Sequence, residues 1–121
     1  MQNKQKKILV VDDEPDILEF LRELLVQEGY AVAVAERAEY VETLCDKNLP
    51  DLILIDVLLS GKDGREIVKW LKSQPETDHI PVIMFSAHPG AEATVLAAGA
   101  DDFVAKPFEM DEILTKIAMH I

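Results

Sequence analysis

A single cysteine, Cys45, in 121 residues leaves no partner for an internal disulfide. That favours a reducing, intracellular setting, and a soluble cytoplasmic protein is expected. Cations are scarce too: 12 Lys and Arg stand against 23 Asp and Glu, a formal net charge of −11. This balance argues against direct contact with nucleic acid or an anionic membrane, because phosphate backbones reward clustered lysine and arginine. No segment approaches the roughly 18 apolar residues that a membrane span requires. The few aliphatic residues before Asp12 are too short a stretch for a signal peptide. Histidine and cysteine do not cluster, which leaves zinc without a ligand set; His79 and His120 are expected to have no convergent partner. Repeats, low-complexity tracts and linkers are missing as well. Gly61-Lys62-Asp63 lacks the glycine spacing and following hydroxyl of a phosphate loop.

What is present is hydrophobic patterning. With 49% apolar residues the chain supports one core. Residues 1–121 therefore read as one domain, with 1–6 as a flexible basic leader containing Lys4 and Lys6. Aliphatic runs Ile8–Val11, Leu52–Ile55 and Val82–Phe85, with weaker runs at Ala31–Ala35 and near Asp102–Ala105, alternate with amphipathic stretches. That alternation predicts a parallel sheet carrying helices on both faces. The helices are expected from Pro15 to about Gly29, from about Glu39 to Lys47 with Val41 and Leu44 inward, from Asp63 as cap to about Pro75, around Ala91–Ala98, and from about Glu109. Five βα units result.

Polar residues stand directly behind these runs: Asp12 and Asp13, then Asp56, then Ser86, then Lys106. In an open parallel sheet the carboxyl ends of the strands open onto one crevice. Three carboxylates about 5 Å apart repel by roughly 3 kcal/mol per pair at an effective dielectric near 20. Such a group either raises its pKa values or recruits a cation. Three negative charges and one lysine balance a dication, and oxygen ligands suit Mg²⁺. A carboxylate beside Mg²⁺, a lysine and a hydroxyl is a competent phosphoryl acceptor, and Asp56 is the better candidate because the adjacent Asp12 and Asp13 are arranged to hold metal.

The order Asp12-Asp13, Asp56, Ser86, Lys106-Pro107, with the phrases Ile8-Leu-Val-Val-Asp-Asp-Glu-Pro15 and Ala98-Gly-Ala-Asp-Asp-Phe-Val-Ala-Lys-Pro-Phe108, resembles the receiver domain of two-component response regulators over nearly the whole chain. The resemblance implies a flavodoxin-like doubly wound (βα)5 three-layer α/β sandwich with sheet order 2-1-3-4-5. It implies a phosphoacceptor signalling domain rather than an enzyme, with only slow self-dephosphorylation. Asp56 would take its phosphoryl group from a sensor histidine kinase or a histidine phosphotransfer protein. Asp13, Asp56 and the Leu58 carbonyl would hold Mg²⁺, or Mn²⁺ in its place, with Asp12 acting through a bound water. Lys106, set by a cis bond to Pro107, and Ser86 would meet the phosphoryl oxygens. Phe103 would follow Ser86 inward and alter the face made by the fourth helix, fifth strand and fifth helix. Leu58 and His88 would tune the phosphoryl lifetime. A downstream protein or fused output domain is implied, and homodimerisation is open.

Several positions depart from the family pattern. Leu59-Ser60 replaces a Met-Pro pair, Lys62 replaces a methionine, and the Ser86–Gly99 stretch is about two residues short, which should shorten the fourth helix or its preceding loop. Two rival readings remain: a haloacid-dehalogenase-like phosphatase, whose Asp-x-Asp is lacking here, and a receiver-like interaction module that is not phosphorylated.

Overall fold

The computed structural model describes residues 5–41, 49–59 and 61–121. Its main sheet comprises β1 (Lys7–Val11), β2 (Ala31–Ala35), β3 (Leu52–Asp56), β4 (Val82–Ser86) and β5 (Asp102–Ala105). All neighbours are parallel, in the order β2-β1-β3-β4-β5. The doubly wound topology expected from the sequence is therefore present.

Strand periodicity sorts the core into two halves, since alternate side chains leave opposite faces of the sheet. Ile8, Val10, Leu52, Leu54, Ile83 and Phe85 pack under α1 (Pro15–Gln27) and α5 (Met110–His120). Leu9, Val11, Ile53, Ile55, Val82 and Met84 face α2 (Ala38–Val41), α3 (Gly64–Ser73) and α4 (Glu92–Ala97). Because both faces are covered, the strands read as unbroken aliphatic runs rather than as alternating patterns.

The helices begin and end largely where their chemistry directs. Pro15 sits in the first turn of α1, where a missing N–H costs nothing, and Gly29 follows the helix at φ +97°. Asp63 caps α3 by accepting the Arg65 N–H at 2.9 Å. Ile113 and Ile117 bury the inner face of α5. As expected, the fourth helix is short, six residues after a 3₁₀ turn at Pro89–Ala91. For α2 the described part is Ala38–Val41, with Val41 fully buried; the expected inward Leu44, Cys45 and most of the basic leader lie outside the described residues.

The ladders extend through Asp56 and Ser86, so these polar residues end their strands as expected. Other details differ from expectation. The expected open loop after β3 contains a small antiparallel ladder, Leu58–Leu59 with Lys62–Asp63, turning through Gly61 at φ +84°. His120 does have a partner, since its Nε2 lies 3.0 Å from Asp102 Oδ2. The sequence could not reveal this because the contact joins α5 to β5. No helix among the described residues is long and apolar enough to cross a membrane.

Candidate phosphoacceptor site

Parallel strands bring their carboxyl ends to one edge, and backbone hydrogen bonds continue just past the strands to fix the first loop residues. The Asp12 N–H donates to the Ala35 carbonyl at 3.1 Å, and the Lys106 N–H to the Ser86 carbonyl at 2.8 Å. A cleft of about 340 Å³ forms there, lined by Asp13, Glu14, Asp56, Leu58, Ser86, Ala87, His88 and Lys106. Asp12, Asp13 and Asp56 each bring a carboxylate oxygen within 4.8 Å of the others. Such an all-oxygen set fits a hard dication, with the cleft leaving room for water or phosphate oxygens.

Lys106 is the hub of the site. Its Nζ lies 3.2 Å from Asp12 Oδ2, 3.4 Å from Asp56 Oδ2 and 3.7 Å from Glu14 Oε1, and 4.9 Å from the centre of the Phe85 ring. The ammonium is thus held between acids and an aromatic face. Neither Glu14 nor Phe85 was among the site residues expected from the sequence. Both contacts depend on how Lys106 crosses from the β5 end, a path no local pattern encodes.

Burial sets the electrostatics. Asp12 is fully buried, and loss of hydration raises its pKa despite the Glu14 N–H and Lys106. Asp56, 8% exposed, is pushed from 3.8 to about 6, again mainly by burial, with Lys106 pulling back and Asp12 adding repulsion. Burial alone would lower Lys106, but Asp56 and Asp12 outweigh it and hold the ammonium above its ordinary value.

The remaining residues take distinct places. Ser86 is 3% exposed, and its Oγ accepts the His88 N–H at 3.0 Å, which leaves the hydroxyl proton available to an incoming oxyanion. His88 is exposed on the cleft wall, as is Leu58. The Lys106–Pro107 bond is cis. Phe103 does not line the cleft; it lies buried in the core with Met84 and Val95.

A position missed by sequence reading is Gly64. A side chain there would collide with the Asp56 carbonyl oxygen and lie 3.0 Å from Met84 Cε. Its own N–H donates to the Val57 carbonyl at 2.6 Å. Gly64 therefore lets α3 begin directly against the backbone at the end of β3. Gly64→Ala should cost about 1–3 kcal/mol through overpacking, read as a lowered urea midpoint; an unchanged midpoint would refute the close approach.

Comparison with known proteins agrees with this geometry. The profile of the response regulator receiver domain matches residues 8–118. The phosphate regulon transcriptional regulatory protein PhoB of Rhizobium meliloti is 38% identical over 113 residues, covering 92% of this chain and 50% of that protein. The chain thus spans about half the length of the curated relatives it matches. Among solved structures, chemotaxis response regulator CheY4 of Vibrio cholerae superposes with a TM-score of 0.89 at 26% identity, covering 98% of this chain and all of that one (100%). Response regulator TrrA from Thermotoga maritima, solved in complex with Mg²⁺-BeF, gives 0.85 at 31% identity, covering 97% and 100%. With the five-stranded sheet, the acidic cluster and the lysine already in place, the chain belongs to the response regulator receiver domain family.

Proposed function

We propose that this receiver domain accepts a phosphoryl group on Asp56 from a phosphohistidine of a sensor kinase or phosphotransfer protein. The observation that carries the proposal is Lys106 Nζ lying within 3.4 Å of the Asp12 and Asp56 carboxylates, in a cleft that Ser86 also lines. An Asp56 oxygen attacks phosphorus, the bond from phosphorus to the donor nitrogen breaks, and the imidazole leaves with its electron pair and takes up a proton. Lys106 and the Ser86 hydroxyl stabilise the charge on the phosphoryl oxygens.

Asp12, Asp13 and Asp56, with the Leu58 carbonyl, are the groups we assign to a Mg²⁺ site, which Mn²⁺ could also fill; a structural relative was solved in complex with Mg²⁺-BeF. When bound, the ion supplies positive charge to the transferring group. Asp12 pairs directly with Lys106, so we assign it a share in orienting the ammonium as well as contact with metal through water.

The signal leaves through Ser86 and Phe103 to the face of α4, β5 and α5. Its receiver is a downstream protein or a fused output domain, with a homodimer as a further arrangement. The phosphatase alternative fares worse, because the residue two beyond Asp56 is Leu58, an apolar side chain 60% exposed that cannot donate a proton.

Incubation with acetyl phosphate and Mg²⁺, followed by intact mass, tests the proposal. One phosphoryl group should add to the parent and none to Asp56→Asn. Equal addition to both, or addition to neither, contradicts it.

The cleft walls also predict lifetime. Leu58→Ala uncovers the acyl phosphate and should speed its decay, whereas His88→Ala removes an imidazole able to order the attacking water and should slow it. Each change is expected to be roughly tenfold, about 1.4 kcal/mol of barrier, with little effect on formation. Decay curves that coincide with the parent in both variants would leave these residues without a role in lifetime.

A further inference from the structure

The region behind the acceptor is linked to α4 by a contact unrelated to the Ser86 and Phe103 route. Leu58, two residues beyond Asp56, pairs with Asp63 across the small hairpin. Asp63 accepts Arg65 Nε at 2.9 and 3.1 Å and Nη2 at 2.7 Å, so the guanidinium is clamped on both carboxylate oxygens. The Asp63–Arg65 hydrogen bonds also hold that carboxyl below its usual pKa. A planar fork fixed on one side has a defined direction on the other. Arg65 Nη1 reaches Thr94 Oγ1 on α4 at 2.8 Å, 29 residues away in sequence. The same hydroxyl donates to the Ala91 carbonyl at 2.9 Å, in the 3₁₀ turn leading into the helix. Thr94 thus accepts from Arg65 and donates to its own first turn, which fixes both the hydroxyl and the entry of α4.

The helix at the far end of this link is poorly secured by other means. It has six residues, no side-chain cap, and Val95 as its buried residue. A helix of that length has little stability of its own, so tertiary contacts decide where it lies. Arg65 itself spans from the hairpin adjoining Asp56 to the start of α4.

We propose that Arg65 is a positioning residue, a strut that carries the state of the acceptor hairpin to α4 in parallel with the Ser86 and Phe103 route. The proposal rests on Asp56 being the phosphoryl acceptor. It differs from simple structural bracing in requiring that the response of α4 to phosphorylation, and not only its resting order, pass through Arg65 and Thr94.

Hydrogen exchange of the α4 amides, measured on the full chain before and after acetyl phosphate with Mg²⁺, tests it alongside intact mass. Thr94→Val removes the acceptor at an exposed position while keeping side-chain shape. Arg65→Lys keeps the charge but loses the fork. Resting exchange of α4 should rise about fivefold in Arg65→Lys, equivalent to about 1 kcal/mol for one hydrogen bond, and further in Thr94→Val, which also loses the bond to the Ala91 carbonyl. The phosphorylation-dependent change in α4 should shrink severalfold, and in that response the double variant should match either single one because both break the Arg65–Thr94 link. Phosphoryl uptake should stay at the parent level. Normal uptake with an unaltered α4 response in both variants overturns the strut and leaves the acceptor assignment standing. Absence of uptake in the parent overturns the acceptor assignment and, with it, the signalling role of Arg65.

Discussion

Lys106→Met should take up phosphoryl group from acetyl phosphate about a hundredfold more slowly than the parent, close to the loss seen when one preorganised charge donor is removed from a transition state. The ammonium is the cation fixed in the cleft, 3.2 Å from Asp12 and 3.4 Å from Asp56, and a methionine of similar length keeps the packing against Phe85 without the charge. The same substitution leaves the fully buried Asp12 carboxylate without its cation. Stranding a buried charge costs about 3–5 kcal/mol, or the group takes up a proton instead. The variant should therefore unfold at a lower urea concentration near neutral pH, with the deficit shrinking in acid as Asp12 and Asp56 protonate. Parent-like uptake in Lys106→Met would remove the lysine from the chemistry.

The second large effect is an apparent gain. Asp56→Asn should be more stable than the parent at about pH 7.5 when divalent ions are chelated. Burial raises the Asp56 carboxyl from 3.8 in the unfolded chain to about 6, so the native state holds that proton more tightly. Its contribution to stability is full below the unfolded value and is lost as pH rises through the folded one. At about 1.4 kcal/mol per unit the loss is on the order of 3 kcal/mol, which the neutral amide escapes. Urea midpoints of parent and variant should converge near pH 4. Mg²⁺ should also narrow the gap at neutral pH, since an ion that binds the folded parent stabilises it by mass action. A parent without metal that is as stable at pH 7.5 as Asp56→Asn would contradict the strained acidic cluster.

Both effects come from a cluster whose members are far apart in the chain yet legible in sequence. Asp12, Asp56, Ser86 and Lys106 could be found because each stands at the end of an apolar run, and parallel pairing obliges such ends to meet. The parallel sheet and the burial of both its faces followed from the same runs, whereas the strand order came only with the resemblance to receiver domains. Legibility failed where a contact depends on how one packed element passes another. Gly64 gave no local sign that α3 starts against the Asp56 carbonyl. Glu14 gave no local sign that the path of Lys106 brings the two within 3.7 Å. Arg65 with Thr94, and His120 with Asp102, join elements whose spacing is set by the whole core, so their partners lie outside any sequence window.

The signalling role stands or falls on Asp56 itself carrying the phosphoryl group, at a site that also holds Asp12, Asp13, Glu14 and Ser86. Borohydride cleaves an aspartyl phosphate to homoserine and inorganic phosphate, leaving a permanent mark at the acceptor. After treatment with acetyl phosphate and Mg²⁺, then reduction and peptide sequencing by mass, homoserine should appear at position 56. Homoserine at position 12 or 13, or phosphate retained on Ser86 with position 56 unchanged, would contradict that role.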